Sequence, residues 1–236
     1  VGDFFPPTFN CPHRVDRIGV IGDGGKWVCG IEVVAMKQEC VIYSIGINGE
    51  SSFEADLLDR APGCQVWGYD YSVDSFGIEI QRFEDLKNRS HFEPWALSGK
   101  DAHGVNDKPK HYTLQTIMDL NGHNFIDILK IDIEGGEFDS LIPLLEAYVH
   151  PPSGPARPLP FGQLQLEIHA WNGRDRLDSL LPWFELMERA GLRPFRNEPN
   201  LVYLGWVKGS HPDLVEYSFI NIGGDHELIS GNTVPW

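Results

Sequence analysis

No pair of cysteines lies two residues apart in this chain of 236 residues, and the four present, Cys11, Cys29, Cys40 and Cys64, all fall in its first third. That spacing excludes the usual structural zinc knuckles. No apolar run approaches the ~20 residues that a membrane-crossing helix needs. Positive charge is also scarce: 19 Lys and Arg stand against 34 Asp and Glu, for a formal net charge of -15. Such a surface repels a phosphate backbone, so nucleic acid is a poor partner. What is present, 42% hydrophobic and 22% charged residues, suffices for one substantial core. We expect a single domain over 1–236, with an N-terminal arm and hairpin over 1–39 and the core over 40–236. The chain begins at Val1 rather than methionine, which reads as a processed form whose anchor or signal has been removed. Membrane attachment is therefore expected only through a segment absent from this sequence.

The most informative stretch runs from Cys40 to Glu54. Val41 to Ile45 is a buried-strand pattern, Gly46 and Gly49 permit a tight turn, and Ser51 or Ser52 can cap a helix carrying Phe53, Leu57 and Leu58. Backbone N–H groups and a helix N-terminus would then face a ligand above the strand, although many α/β proteins use such a turn only to change direction. A second short strand, Gln65 to Asp70, ends in a carboxylate placed to accept hydrogen bonds from ribose hydroxyls. The pair points to a nucleoside cofactor. Gly46-Ile-Asn-Gly49 lacks the G-x-G-x-x-G cradle that a pyrophosphate requires, which disfavours an NAD-dependent dehydrogenase and favours S-adenosylmethionine.

Upstream, two β-like runs flank Asp23-Gly24 and predict a hairpin over 17–29 with Lys26 and Trp27 near its tip. It can fold over the cofactor, with Lys26 beside a carboxylate and Trp27 as cover, or Trp27 can simply pack the core. Downstream, Tyr71 to Arg89 carries a helical pattern, His91 to Leu97 a strand, 98–110 a loop, and Thr113 to Leu120 a capped helix. Asn88-Arg-Ser90 matches the acceptor triplet for Asn-linked glycosylation should the chain enter the secretory pathway.

Phe125 to Glu137 is an almost continuous apolar strand ending in acidic residues, with Lys130, Asp132 and Glu134 on one face and Gly135-Gly136 opening a helix. A proline-dense loop over 151–160 precedes Gln163 to Trp171, an alternating strand that places Glu167 and His169 on one face. A helix from Arg174 to Ala190 stops at Gly191, and Leu192 to Phe195, Leu201 to Val207 and Val215 to Ile222 are β-like. Strands alternating with helices predict a three-layer α/β sheet with an antiparallel element near the end.

Taken in order, Tyr-Ser-Ile-Gly-Ile-Asn-Gly-Glu at 43–50, Trp-Gly-Tyr-Asp at 67–70, Leu-Lys-Ile-Asp-Ile-Glu-Gly-Gly-Glu at 129–137 and Glu-Ile-His at 167–169 resemble S-adenosylmethionine-dependent methyltransferases of the FkbM-like kind. Asp-Gly-Gly-Lys-Trp-Val-Cys (23–29), Glu-Pro-Asn (198–200) and Glu-Tyr-Ser-Phe-Ile-Asn (216–221) extend the resemblance to the methyltransferase-like 24 branch. It implies a Rossmann-like, seven-stranded class I methyltransferase sheet with the last strand antiparallel, and residence in the endoplasmic reticulum or Golgi lumen, where members of this branch are often membrane-tethered as full-length proteins. Disulfides among the four cysteines follow from that location. The resemblance puts Gly46 and Asn48 at the amino-acid end of the cofactor, Asp70 on the ribose and the backbone of Ala96 and Leu97 beside the adenine. Lys26, Trp27, Ser51, Tyr71 and Asp132 complete the expected cofactor contacts.

Four titratable groups, Asp132, Glu134, Glu167 and His169, are expected to converge where the methyl group emerges, with His169 first as general base. The same four can instead ligate a divalent metal, a reading weakened by Lys130 on their face. A catalytically silent nucleotide- or partner-binding module is the remaining alternative. For the acceptor, the acidic surface and the tryptophans Trp27 and Trp171 favour a protein or peptide nitrogen over a glycan or small-molecule hydroxyl.

Overall fold

A computed structural model describes residues 5–200, 203 and 213–230. Its first element is the expected hairpin: β1 (Val15–Ile18) pairs antiparallel with β2 (Lys26–Cys29), in register Arg17 to Trp27. One helical turn, α1 (Ile31–Val34), leads to β3 (Cys40–Ile45), α2 (Ser52–Arg60) and β4 (Cys64–Tyr69). Phe53, Leu57 and Leu58 are the buried stripe of α2, and each such side chain stabilises the docked helix by roughly 1.5–3 kcal/mol. That docking fixes the turn between β3 and α2.

Two expectations fail in the next segment. Tyr71 to Arg89 is not one helix but a turn followed by α3 (Ile78–Gln81) and α4 (Glu84–Asn88). Its apolar period served packing against α2 rather than helix continuity. His91 to Leu97 is not one strand either, because Pro94 lacks the N–H that a ladder needs. The chain makes β5 (Ser90–Glu93), then a two-residue β6 (Ala96–Leu97) that pairs with β7 (His111–Tyr112) instead of with the main sheet. After α5 (Leu114–Asn121), capped as expected by Thr113 accepting from the Thr116 N–H, come β8 (Ile126–Ile131), α6 (Glu137–Val149), β9 (Phe161–His169), α7 (Leu177–Arg189), β10 (Leu192–Pro199) and β11 (Leu214–Asn221). The run from Leu201 to Val207 lies, apart from Tyr203, outside the described residues.

The main sheet has seven strands in the order β10-β11-β9-β8-β3-β4-β5. Pairings from β9 through β5 are parallel, while β11 is antiparallel to both neighbours, so it alone runs against the rest. Adjacent residues face opposite layers: Ile42 packs with Phe53 and Leu57 on one side, and Tyr43 with Ile117 and Leu141 on the other. This is the three-layer, Rossmann-like sheet with its last strand antiparallel.

From β3 the chain winds outward through β4 to β5, then returns to β8 and builds the other half. The reversal between β3 and β8 opens a crevice at their C-terminal ends. Two disulfides brace this frame. Cys40–Cys64 joins residues paired in the β3/β4 register, and Cys11–Cys29 ties the N-terminal arm to β2. Loops of that length stabilise by about 3 kcal/mol each in the chain-entropy account.

Candidate active site

A cavity of about 400 Å³ fills the crevice, within the ~300–1,000 Å³ usual for small-molecule sites. Its floor is Gly46. Here φ is +88°, and a Cβ would stand 1.7 Å from the Asp132 carbonyl oxygen, so only glycine lets the β3 turn pass so close to the end of β8. The neighbouring Asn48 has φ of 46°, a conformation that the surrounding structure must hold in place.

Asp70 does the holding. One of its oxygens accepts the N–H groups of Ile47 and Asn48 at 2.8 Å each, and the other accepts the N–H and hydroxyl of Ser72 at 2.7 Å. Burial alone would raise its pKa, but these bonds hold it below the usual carboxylate value. Its four acceptor positions are thus filled by the chain itself, and a ribose would have to displace Ser72.

Of the residues singled out in the sequence, Lys26, Gly46, Asn48, Asp70, Tyr71, Ala96, Leu97, Asp132, Glu134 and Glu167 all line the cavity. Four expected residues do not. Alternation along β2 that turns Lys26 inward turns Trp27 outward, where its indole N–H donates to Glu198 and Arg196 stacks on its ring at 4.4 Å. Ser51 is buried and accepts the Gly77 N–H at 2.8 Å, bracing the turn from behind. His169 is buried behind Glu134, and Trp171 packs edge-on against it at 4.7 Å, so neither belongs to the wall. The aromatic wall is instead Tyr69, Tyr71 and Trp95. Of these rings only Tyr71 was expected at the site; nothing in the sequence period separated Tyr69 and Trp95 from the core.

Two linked networks supply the chemistry. In the first, the buried ammonium of Lys26 pairs with Glu216 and lies 3.6 Å from Asp132. Burial opposes its charge, but Glu216, Asp132 and Glu167 outweigh that and raise its pKa. Asp132 is held low: burial pushes up, while Lys26 and Lys130 pull down further. Glu167 is pushed well up by burial and by the charges of Glu216 and Asp132, and one of its oxygens accepts from the Asn200 carboxamide at 2.8 Å. Glu216, quoted only within the motif at 216–221, was given no role from the sequence because nothing in β11 shows that it pairs with Lys26.

In the second, Glu137 accepts from the Ile133 and Gly135 N–H groups and, at 3.0 Å, from Nδ1 of His169. A carboxylate can only accept, so Nδ1 carries the proton and Nε2 faces Glu134 at 3.5 Å and Glu167 at 4.0 Å. Burial would lower the His169 pKa, but the Glu137 bond and charge, with Asp132 and Glu134, raise it above the ordinary value. A raised histidine stabilises the fold below its unfolded pKa and loses that contribution as pH climbs through the folded value. His169→Gln should therefore destabilise more at pH 6 than at pH 9 in urea unfolding; an equal loss at both would mean that the charged form has no special support.

Potential metal ligands occur twice among the described residues: Asp132, Glu134 and His169, and Asp132, Glu167 and Glu216. The Lys26 ammonium already neutralises the second group. In the first, the Glu137 contact presents Nε2 as ligating histidines are usually presented.

A family model described as a methyltransferase domain matches residues 2–220. Among curated proteins, probable methyltransferase-like protein 24 of Rattus norvegicus is 27% identical and that of Homo sapiens 28% identical over 170 residues, or 67% of this chain and 42% of each relative. The chain thus matches less than half the length of these relatives. Fibrillarin from Methanococcus jannaschii, a pre-rRNA processing protein of solved structure, aligns over 80% of this chain and 70% of its own, at 14% identity and a TM-score of 0.43.

Proposed function

Because this chain belongs to the methyltransferase domain family, we propose that it transfers a methyl group from S-adenosylmethionine to a nitrogen of a protein or peptide. The observation that carries the cofactor reading is a buried carboxylate on the cavity wall with one oxygen left unpaired. Glu54 is 1% exposed; one oxygen takes the Ser44 hydroxyl and lies 3.9 Å from the Lys130 ammonium, while its Oε2 has no hydrogen-bond partner among the described residues. Burial pushes its pKa up despite Lys130 and Ser44. An α-ammonium group would satisfy that oxygen, and Lys130, which also donates to the Gly46 carbonyl, can meet an α-carboxylate. The residues thus fit an amino-acid zwitterion at one end, with Tyr69, Trp95, Ala96 and Leu97 as an apolar bed for a base at the other.

Losing one charge-assisted bond costs about 1.5–3 kcal/mol, or roughly 10- to 100-fold in affinity. Glu54→Gln should weaken S-adenosylhomocysteine by that factor and leave 5′-methylthioadenosine, which lacks the amino-acid end, unchanged. Equal effects on both ligands in calorimetry would remove Glu54 from the subsite.

When bound, the cofactor supplies an electrophilic methyl carbon on a sulfonium. The chain's own work is then to orient the acceptor, exclude water and accept a proton. Acidic side chains outnumber Lys26 and Lys130 on the cavity wall, and the carboxylate of Glu134 is 69% exposed, so an ammonium is attracted and its neutral form is left beside a proton acceptor. A hydroxyl acceptor would lean on His169 or on a metal at Asp132, Glu134 and His169. Labelled methyl donor incubated with secreted proteins and with glycans separates these readings: label in protein, at a base-stable linkage and insensitive to chelator, is expected. Label confined to glycan, or activity abolished by chelator and restored by Mg²⁺, would establish the hydroxyl reading instead.

The compartment we propose is the lumen of the secretory pathway. Both cysteine pairs are disulfides, which persist where the environment is oxidising. Among the described residues, no helix is long and apolar enough to cross a membrane.

A further inference from the structure

We propose that Asn88 carries an asparagine-linked oligosaccharide that shields the open edge of the sheet. The proposal rests on the oxidising-compartment reading above. Asn88-Arg-Ser90 is the sole Asn-x-Ser/Thr triplet in the sequence. The fold sorts its three residues by direction. Arg89 is turned inward, donating to the carbonyls of Leu58 at 2.9 Å and Cys64 at 3.3 Å, while Asn88 is exposed and its carboxamide makes no hydrogen bond among the described residues. Asn88 is the last residue of α4, and Arg89 leaves the helix with φ of -109° and ψ of 13°. The Ser90 hydroxyl folds back onto the Lys87 carbonyl at 3.1 Å, so hydroxyl and carboxamide share one exposed turn.

Position gives the modification a purpose. β5 ends the sheet order and, among the described residues, pairs only with β4, so its outer N–H and C=O groups are open to strand addition by another chain. A hydrated oligosaccharide rooted two residues before that strand stands over this edge. The β strands of this half run parallel, so Asn88 lies at the end of the sheet away from the cavity, and a glycan there leaves the cofactor and acceptor free to enter. In the transfer, the Asn88 amide nitrogen attacks C1 of the first sugar of a lipid-pyrophosphate-linked oligosaccharide. A C1–N bond forms, the C1–O bond to pyrophosphate breaks, and the amide proton leaves with a base.

The test is secretion of the whole chain from a eukaryotic cell behind a leader peptide. Wild type should show a mobility step of a single glycan that peptide N-glycosidase removes, leaving Asp at position 88. Asn88→Gln and Ser90→Ala should both lack the step and Ser90→Thr should keep it, with S-adenosylhomocysteine affinity changed less than twofold. Secreted, folded wild type without the step would overturn the proposal. Thiol titration of the same unreduced, denatured sample reports separately on the compartment: no free thiol is expected, and four would overturn the reading on which the proposal rests.

Discussion

Replacing Lys26 with methionine is expected to cost about 3–5 kcal/mol of stability at neutral pH, the cost of leaving a buried charge without its partner. Methionine keeps the length and apolar stem of the side chain, so the loss isolates the ammonium. That ammonium faces Glu216 and Asp132 directly, with Glu167 adding to its field, and its side chain is 2% exposed. Without it, burial and mutual repulsion drive Glu216 and Glu167 toward the protonated form and leave Asp132 with Lys130. Lower pH supplies those protons, so the deficit should shrink as pH falls from 8 to 5. Lys26→Met/Glu216→Gln should recover part of it by removing the carboxylate that Lys26 contacts most closely. Urea unfolding midpoints across that range check all three statements. A single mutant as stable as wild type would show that the hairpin does not depend on this pair.

Asp70→Ala should be equally damaging, and for a different reason. The carboxylate accepts from two N–H groups of the glycine turn and two donors of Ser72, each bond worth about 1.5–3 kcal/mol because the acceptor is charged. Losing the two on the turn alone frees Asn48 from its left-handed conformation. Stability should fall by about 3 kcal/mol or more, and S-adenosylhomocysteine affinity by at least about 100-fold. The pKa of Asp70 is depressed in the fold, so its contribution is present above the ordinary carboxylate pKa and is lost as pH drops through the folded value. Asp70→Asn, which keeps one acceptor oxygen, should lie between alanine and wild type. Affinity in the alanine variant within threefold of wild type would detach Asp70 from the cofactor site.

The sheet was legible because its strands are written in β-branched runs with glycine or acidic punctuation: Val41 to Ile45 and Gln65 to Asp70 fold where the sequence put them, whereas the strand expected over Phe125 to Glu137 stops at Ile131, and Glu134, with φ of 54°, stands in the turn beyond it. Errors arose where one local signal had two meanings. The apolar period of Tyr71 to Arg89 marked two short helices packed on α2, and Pro94 cut a strand that its flanking residues suggested should continue. Within the site, residues at the C-terminal ends of strands could be named in advance because parallel topology gathers those ends. Lys26 was inferred from its hairpin, but the facing of Trp27 depended on a register that sequence alone leaves free by one residue. Glu54, Glu137 and Glu216 lie in stretches that the sequence singled out but were given no role at the site, because only the three-dimensional fold brings each to Lys130, His169 or Lys26.

The central claim is that the crevice between β3 and β8 is built for S-adenosylmethionine, and isothermal titration of the folded, disulfide-intact protein tests it most directly. Saturable binding of about one S-adenosylmethionine per chain is expected, with S-adenosylhomocysteine bound comparably, 5′-methylthioadenosine at least ~10-fold more weakly, and NADH not at all. Absence of heat with S-adenosylmethionine in well-folded protein, or NADH binding in its place, would contradict the account.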